Sequence, residues 1–235
     1  MLPQHVGIIL DGNRRFAREL MKTPWLGHKM GLEKARTVLG WACERGIKYV
    51  TAYVLSLENF QTRPKKELKM ILEYFGEEMD NIVNDANHVI NRFAVQVRFI
   101  GRTHILPDKL QAKMRKVEQK TKGNKKHTIN IAIAYGGQQE LVDAMKKILQ
   151  EGLAGVIKPS DLDETLLKEH LYTNGQPYPD MILRTGGEKR LSNFLPFQAA
   201  YSELIFTDTK WPALTEKEFD SALKEFSSRQ RRFGR

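Results

Sequence analysis

An α/β fold, a single domain built on one central and mostly parallel sheet of about six strands flanked by helices, is what this sequence predicts. Two observations lead to it. Short apolar runs alternate along the chain with longer stretches of helical period, and most of the runs are apolar on both parities, as strands covered on both faces should be. In addition, no Pro, Gly or Ser-rich linker, internal repeat or low-complexity segment divides the 235 residues, so one domain spanning 1–235 is the economical reading.

The runs are "VGIIL", "YVTAYVLS", "VQVRFI", "TINIAIAY", "DMILRT" and "ELIFT", in that order. After the first, Ala35, Val38, Leu39 and Ala42 form one helical face, and Gly46 ends it. Between the second and third runs, Leu68, Ile71, Leu72, Phe75, Met79, Ile82, Val83, Ala86, Val89 and Ile90 recur at three and four residues, which predicts one long amphipathic helix. Lys109, Lys113, Arg115, Lys116, Lys120, Lys122, Lys125 and Lys126 crowd the next segment without interleaved aromatics, so it is read as a helix with a solvated basic face. Thr215 with Glu218 has the spacing of a capping box for the last helix.

Composition narrows the function. Lys and Arg number 38 against 28 Asp and Glu, a net charge of +10 that favours polyanionic partners: phosphorylated small molecules, anionic lipid or nucleic acid. Cys43 is the only cysteine, which excludes a disulfide framework and suits a reducing compartment. With no signal-like start and no run of apolar residues long enough to span, the expected location is cytoplasmic, with contact at a membrane surface left open.

Parallel sheets bind ligands at the carboxyl ends of their strands, and there the polar clusters fall. The first run is followed by Asp11, Gly12, Asn13 and Arg15, the second by Ser56, Glu58, Asn59 and Arg63, and the fifth by "RTGGEKRLSN" with Arg184, Arg190 and Ser192. Guanidinium forks suit phosphate oxygens, and arginines beside glycine-freed backbone in "RTGGEKR" have the composition of a diphosphate cradle. Asp11 adds a carboxylate, and magnesium prefers one or two of these with diphosphate oxygens and water. Glu203 is a second carboxylate candidate, the competing reading being an ion pair with a nearby lysine. Other phosphate chemistries are missing: there is no P-loop, no G-x-G-x-x-G, Asn13 stands where an aspartyl phosphotransferase needs its second aspartate, and the histidines lack zinc spacing.

The blocks "HVGIILDGNRRFA", "GHKMG", "SLENFQTRPKKE", "INIAIAYGGQQELV", "PDMILRTGGEKRLSNFLPFQAAYSELIFTDTKWP" and "RRFGR" resemble, in order and over nearly the whole chain, the signatures of the cis-prenyltransferases, the undecaprenyl diphosphate synthase-like family. That resemblance implies a homodimer with an apolar substrate tunnel, adding isopentenyl diphosphate to an allylic prenyl diphosphate with the help of magnesium. Asp11 would bind the metal on the allylic diphosphate, beside Gly12, Asn13, Arg14, Arg15 and His28, with Glu203 near it. Arg184, Arg190 and Ser192 would hold isopentenyl diphosphate, with Arg232 and Gly234 reaching in from a partner subunit. Ser56, Asn59, Phe60, Arg63 and Glu67 match the segment that links the two substrates, and Asn13 or diphosphate itself would take the proton lost after coupling. The stripe that includes Leu68, Leu72 and Phe75 would serve as core and as tunnel wall.

Several positions depart from the family pattern. Pro24 stands where many relatives carry an arginine for the allylic diphosphate, Phe16 replaces a tryptophan, Lys189 a histidine, and Ala213 a common aspartate, while "ENFQTRP" is one residue longer than usual. These changes keep irregular coupling, or transfer to another acceptor, as the alternative activity. Val54 is bulkier than the alanine of long-product relatives; with Ala52 and Ser56 on its face of the strand, it predicts a short- to medium-chain product. A non-catalytic partner subunit and a nucleic-acid binder are the more distant readings, the first opposed by the presence of Asp11, the second resting on charge alone.

Overall fold

The computed structural model describes residues 1–229. Six strands, β1 (His5–Ile9), β2 (Tyr49–Ser56), β3 (Val95–Ile100), β4 (His127–Tyr135), β5 (Met181–Arg184) and β6 (Glu203–Phe206), form one sheet in the order β3-β4-β2-β1-β5-β6. Every neighbouring pair is parallel. All six apolar runs are strands. The helices are α1 (Asn13–Glu19), α2 (Pro24–Glu44), α3 (Leu57–Thr62), α4 (Lys65–Asn84), α5 (Val89–Arg92), α6 (Asp108–Thr121), α7 (Gly137–Leu153), α8 (Glu164–His170) and α9 (Glu216–Ser228). None of them is long and apolar enough to cross a membrane.

Strand parity divides the core between the two faces of the sheet. Val6, Ile8, Val50, Ala52, Met181 and Leu183 point to the side covered by α2, α4, α6 and α9. Ile9, Tyr53 and Ile182 point the other way, under Phe194, Leu195 and Ala199. Parity slips once. Opposite β4, Tyr53 pairs with Ala132, Leu55 with Ile133 and Ser56 with Tyr135, so Val54 is an extra residue in β2 and Ala134, at φ 47°, an extra residue in β4. Such paired bulges bend a strand end and re-aim its side chains. As a result Leu55 joins the same core as Ala52, with Val54 packed against it.

The predicted long helix is two helices. α4 stops at Asn84 because the next residues offer the backbone a better partner set: Asp85 Oδ1 accepts from the amide of Asn87, His88 Nδ1 accepts from the amide of Ile90, and Asn91 Nδ2 donates to the carbonyls of Ile82 and Asp85. The apolar period carries through the break since Ile90 still reaches the core.

The basic helix is α6, with Leu110, Met114 and Val117 buried. Two of its lysines have structural work: Lys120 Nζ donates to the last carbonyls of α4, Ile82 O and Val83 O, and Lys113 Nζ donates to Asp80. Thr215 and Glu218 make the predicted capping box of α9.

Candidate active site at the carboxyl ends of the strands

A cavity of about 730 Å³ opens where β1, β2 and β5 end, lined among others by Asp11, Gly12, Asn13, Arg14, Arg15, His28, Val54, Ser56, Asn59, Arg63, Arg184, Arg190 and Ser192. Residues from opposite ends of the chain, Asp11 and Ser192 among them, thus share one space because three adjacent parallel strands end there.

Asp11 leaves β1 and turns at once. Gly12 caps α1 at φ 105°, a left-handed conformation, and a Cβ there would lie 2.8 Å from Lys210 Cβ. The Asp11 carboxylate takes the Gly12 amide on Oδ1 at 2.6 Å, Arg15 Nη2 on the same oxygen at 3.3 Å, and Arg184 Nη2 on Oδ2 at 2.9 Å. Arg184 is buried, and its Nη1 donates to Ser192 Oγ at 2.8 Å and to the carbonyl of Arg190. One guanidinium therefore joins the ends of β1 and β5 to the 190–192 loop. The two glycines of "RTGG" serve differently from the predicted cradle: their amides bond the carbonyls of Thr209 and Thr207, and the cavity is lined from this segment by Arg184, Arg190 and Ser192 instead.

The second cluster gathers Arg14 of α1, His28 of α2, Arg63 just after α3 and Glu67 of α4. Arg63 Nη1 lies 2.7 Å from His28 Nε2 and 2.8 Å from Glu67 Oε1, and Arg14 Nε lies 3.6 Å from the same Glu67 oxygen. Burial, helped by the Arg63 charge, lowers His28 to about 4, so the ring is neutral at pH 7 and carries a single N–H. Burial alone would raise Glu67, but the hydrogen bond from His28 and the charges of Arg63 and Arg14 outweigh it and hold the carboxyl below its usual range. Arg63 is thereby aimed into the cavity by a carboxylate behind it. Ser56 caps α3 by accepting from the amide of Asn59, which fixes the start of the segment carrying Asn59 and Arg63.

The glycines of "GHKMG" explain how α2 reaches the site. A Cβ at Gly27 would sit 2.1 Å from the Asn13 carbonyl oxygen, and one at Gly31 would sit 2.1 Å from Asn13 Oδ1. α2 thus packs against the start of α1, bringing His28 between them. Asn13 itself is held by its Nδ2, which donates to the Leu10 carbonyl at 2.9 Å, while Oδ1 is buried without a partner among the described residues.

Several expected site residues lie elsewhere. Glu203 opens β6 at the amino edge of the sheet, level with Met181 and Val6, and pairs with Arg229 at 2.9 Å. Within one chain it is at the opposite end of the strands from Asp11, because it precedes its strand whereas Asp11 follows one. Phe60 packs against the core rather than lining the cavity. Phe75 is buried edge-on against Phe99. Leu68 and Leu72 line a separate groove between α4 and α6 with Pro107 and Leu110, so of the proposed tunnel residues only Val54 faces the polar cavity. Arg232 and Gly234 lie outside the described residues.

Other residues were missed. Arg18 lines the cavity one helical turn beyond Arg14 and Arg15, a spacing readable once α1 is recognised. Tyr53, whose hydroxyl lies 3.2 Å from the Ser192 carbonyl, and Asn193, at φ 64°, also line it and gave no comparable signal.

A cavity with this many arginines, one carboxylate at a strand end and a neutral imidazole is suited to two adjacent polyanions. The family model described as putative undecaprenyl diphosphate synthase matches residues 9–234. The chain belongs to the cis-prenyltransferase family. It is 47% identical over its full length, and over 83% of the relative's, to a tritrans,polycis-undecaprenyl-diphosphate synthase (geranylgeranyl-diphosphate specific) of Methanocaldococcus jannaschii. It is 44% identical, across 89% of the relative, to an isoprenyl transferase of Thermus thermophilus. Among solved structures, lavandulyl diphosphate synthase from Lavandula x intermedia in complex with dimethylallyl diphosphate superposes on this cis-prenyltransferase with a TM-score of 0.93 at 32% identity, covering 100% of this chain and 99% of that one. A probable undecaprenyl diphosphate synthase from Campylobacter jejuni superposes with a TM-score of 0.80 at 31% identity, with the same coverage.

Proposed function

We propose that this cis-prenyltransferase joins isopentenyl diphosphate to an allylic prenyl diphosphate, with geranylgeranyl diphosphate as primer and a medium-chain, undecaprenyl-type diphosphate as product. The observation that carries this reading is the meeting of two arginine clusters around Asp11 in one cavity. The primer and product rest on the printed names of the archaeal relatives.

Asp11, Arg14, Arg15 and His28 surround the allylic diphosphate, and Arg184, Arg190 and Ser192 hold the homoallylic one. Arg63, backed by Glu67, lies between them, while Asn59 faces the cavity from α3. Magnesium fits this donor set. Among the described residues no group of three or more His, Cys, Asp or Glu side chains gathers to form a protein cage, whereas Asp11 presents a single carboxylate where substrate oxygens and water would complete an octahedron. When bound, the metal supplies charge neutralisation on the departing diphosphate. Asp11 would hold it at the β1 end, and the arginines face the negative charge that develops as the allylic carbon–oxygen bond breaks. The proton released after coupling goes to the diphosphate oxygens; the Asn13 carboxamide, too weak a base to keep a proton and already donating to the Leu10 carbonyl, holds the turn between β1 and α1 instead.

A homodimer is part of the proposal. Val142, Met145, Leu149 and Leu153 leave an exposed apolar row on α7, which a second copy would cover. The buried, unpaired Cys43 suits a cytoplasmic location.

The test is mass spectrometry of products from purified protein, magnesium and each allylic diphosphate from dimethylallyl to geranylgeranyl, with and without isopentenyl diphosphate. Growth by isoprene units only when isopentenyl diphosphate is present supports the proposal. Coupling without it would replace regular elongation by irregular joining, and no product in either case would sink the enzymatic reading.

A further inference from the structure

Asn193 ties together segments that the roles above leave independent. Its Oδ1 accepts the backbone N–H of Gln138 at 2.9 Å, and its Nδ2 donates to Glu58 Oε1 at 2.8 Å and to Gln139 Oε1 at 3.2 Å. The backbone donor settles the amide's orientation: the oxygen must face Gln138, so the NH2 must face Glu58. The Asn193 carbonyl also accepts from Gly137 at 2.8 Å. The side chain is therefore anchored on α7 and reaches α3.

The local backbone is built for this reach. Ser192 and Asn193 stand at φ 51° and 64°, left-handed conformations that favour Asn but are uncommon for other side chains, and two successive residues hold them only because their surroundings dictate it. Ser192 is fixed on both sides, its hydroxyl by Arg184 and its carbonyl beside the Tyr53 hydroxyl. Glu58, next to Asn59 on α3, is exposed and lines the cavity. Its carboxyl is held below the usual range, burial being outweighed by hydrogen bonds from Asn193, from its own backbone N–H and from Ser56.

We propose that Asn193 is a positioning residue for prenyl transfer: through Glu58 it locks the α3 segment bearing Asn59 and Arg63 to the loop bearing Arg190 and Ser192, setting where the linking groups stand against the homoallylic diphosphate. The proposal rests on the reading of the cavity given under the proposed function. No bond forms or breaks at Asn193. Its contribution is that the group on α3 and the groups on the loop are presented together, and small displacements between two reacting partners cost rate steeply.

The experiment compares N193D, E58Q and the double variant N193D/E58Q. N193D keeps an oxygen for the Gln138 amide but turns a second carboxylate on Glu58, so α3 should be pushed from the loop. E58Q alone keeps an acceptor for Asn193 and should stay within about threefold of the parent. In the double variant the new amide can turn its NH2 to the new carboxylate, restoring the link with its polarity reversed. The readouts are kcat, the KM for isopentenyl diphosphate, and hydrogen exchange of the α3 amides of Leu57–Thr62. N193D is expected to lose about tenfold or more in kcat/KM with faster α3 exchange, and the double variant to regain both to within about threefold, at unchanged melting temperature. An N193D enzyme with parental kinetics and exchange, or a double variant no better than N193D, overturns the proposal. Should N193D not fold, E58A breaks the link from the other side and must still speed α3 exchange. If the parent protein transfers no prenyl group, the functional reading fails, whereas the exchange pattern and its reversal still decide whether the strut exists.

Discussion

Arg184 Nη2 and Asp11 Oδ2 lie 2.9 Å apart, so the carboxylate that ends β1 is neutralised by the guanidinium that ends β5. Both also have duties to substrate in the proposed reaction, which makes the ion pair a resting arrangement that diphosphate and metal exchange. Asp11→Ala should therefore lower turnover by roughly 1,000-fold or more while the circular dichroism spectrum keeps the parent's shape, with a lowered melting temperature because the buried Arg184 guanidinium loses its counter-ion. Titrating magnesium against the residual rate checks it: a parental magnesium response in the variant would remove Asp11 from metal binding.

Two histidines set a pH dependence. His5 is fully buried, bonded to the Pro177 carbonyl and Thr51, and burial lowers it from 6.5 to about 4. The unfolded chain therefore binds a proton that the folded chain does not between those values, so stability is full above pH 6.5 and falls as pH drops toward 4. The size for His5 is on the order of 3 kcal/mol. His28, lowered for the same first reason, adds in the same direction. Urea midpoints of the parent and His5→Gln between pH 7 and 4 should show the smaller loss in the variant; parallel curves would mean that His5 titrates normally in the fold.

The strands were legible because each is covered on both faces and so carries uninterrupted apolar sequence, and the strand-end clusters were legible because a parallel sheet puts them together. What stayed hidden depends on geometry without a periodic signature. The stop after Asn84 is made by side chains of Asp85, His88 and Asn91 inside an unbroken apolar period. Glu203 looked like Asp11 in kind, but one precedes its strand and the other follows it. The bulge at Val54 needs a register with β4 that no single strand reveals.

Gly31 offers a test in which two effects have opposite signs. In the middle of α2, Gly→Ala should by helix propensity stabilise by about 1 kcal/mol. Here the new methyl would lie 2.1 Å from Asn13 Oδ1 and 3.2 Å from Trp211 Cδ1, and overpacking of this kind costs about 1–3 kcal/mol. Steric conflict should win, with Gly31→Ala less stable in denaturant and weaker in turnover because α1 and His28 shift together. A more stable variant with full activity would show that α2 is free to move away from Asn13.

Chain length separates Val54 from Phe75, which the apolar pattern alone treats alike. Val54 lines the cavity from a bulged strand end, whereas Phe75 is 4% exposed and packs edge-on against Phe99 in the core. Val54→Ala removes two methyl groups at the place where a growing chain would leave the diphosphate subsites, so its products should shift to longer species at nearly unchanged stability. Phe75→Ala should instead cost about 3–5 kcal/mol, as core truncations of phenylalanine do, and leave the length distribution where it was. Mass spectrometry of products, beside urea denaturation of the same two variants, resolves the pair. Longer products from Phe75→Ala with parental lengths from Val54→Ala would place the path of the prenyl chain under α4 instead of past the end of β2.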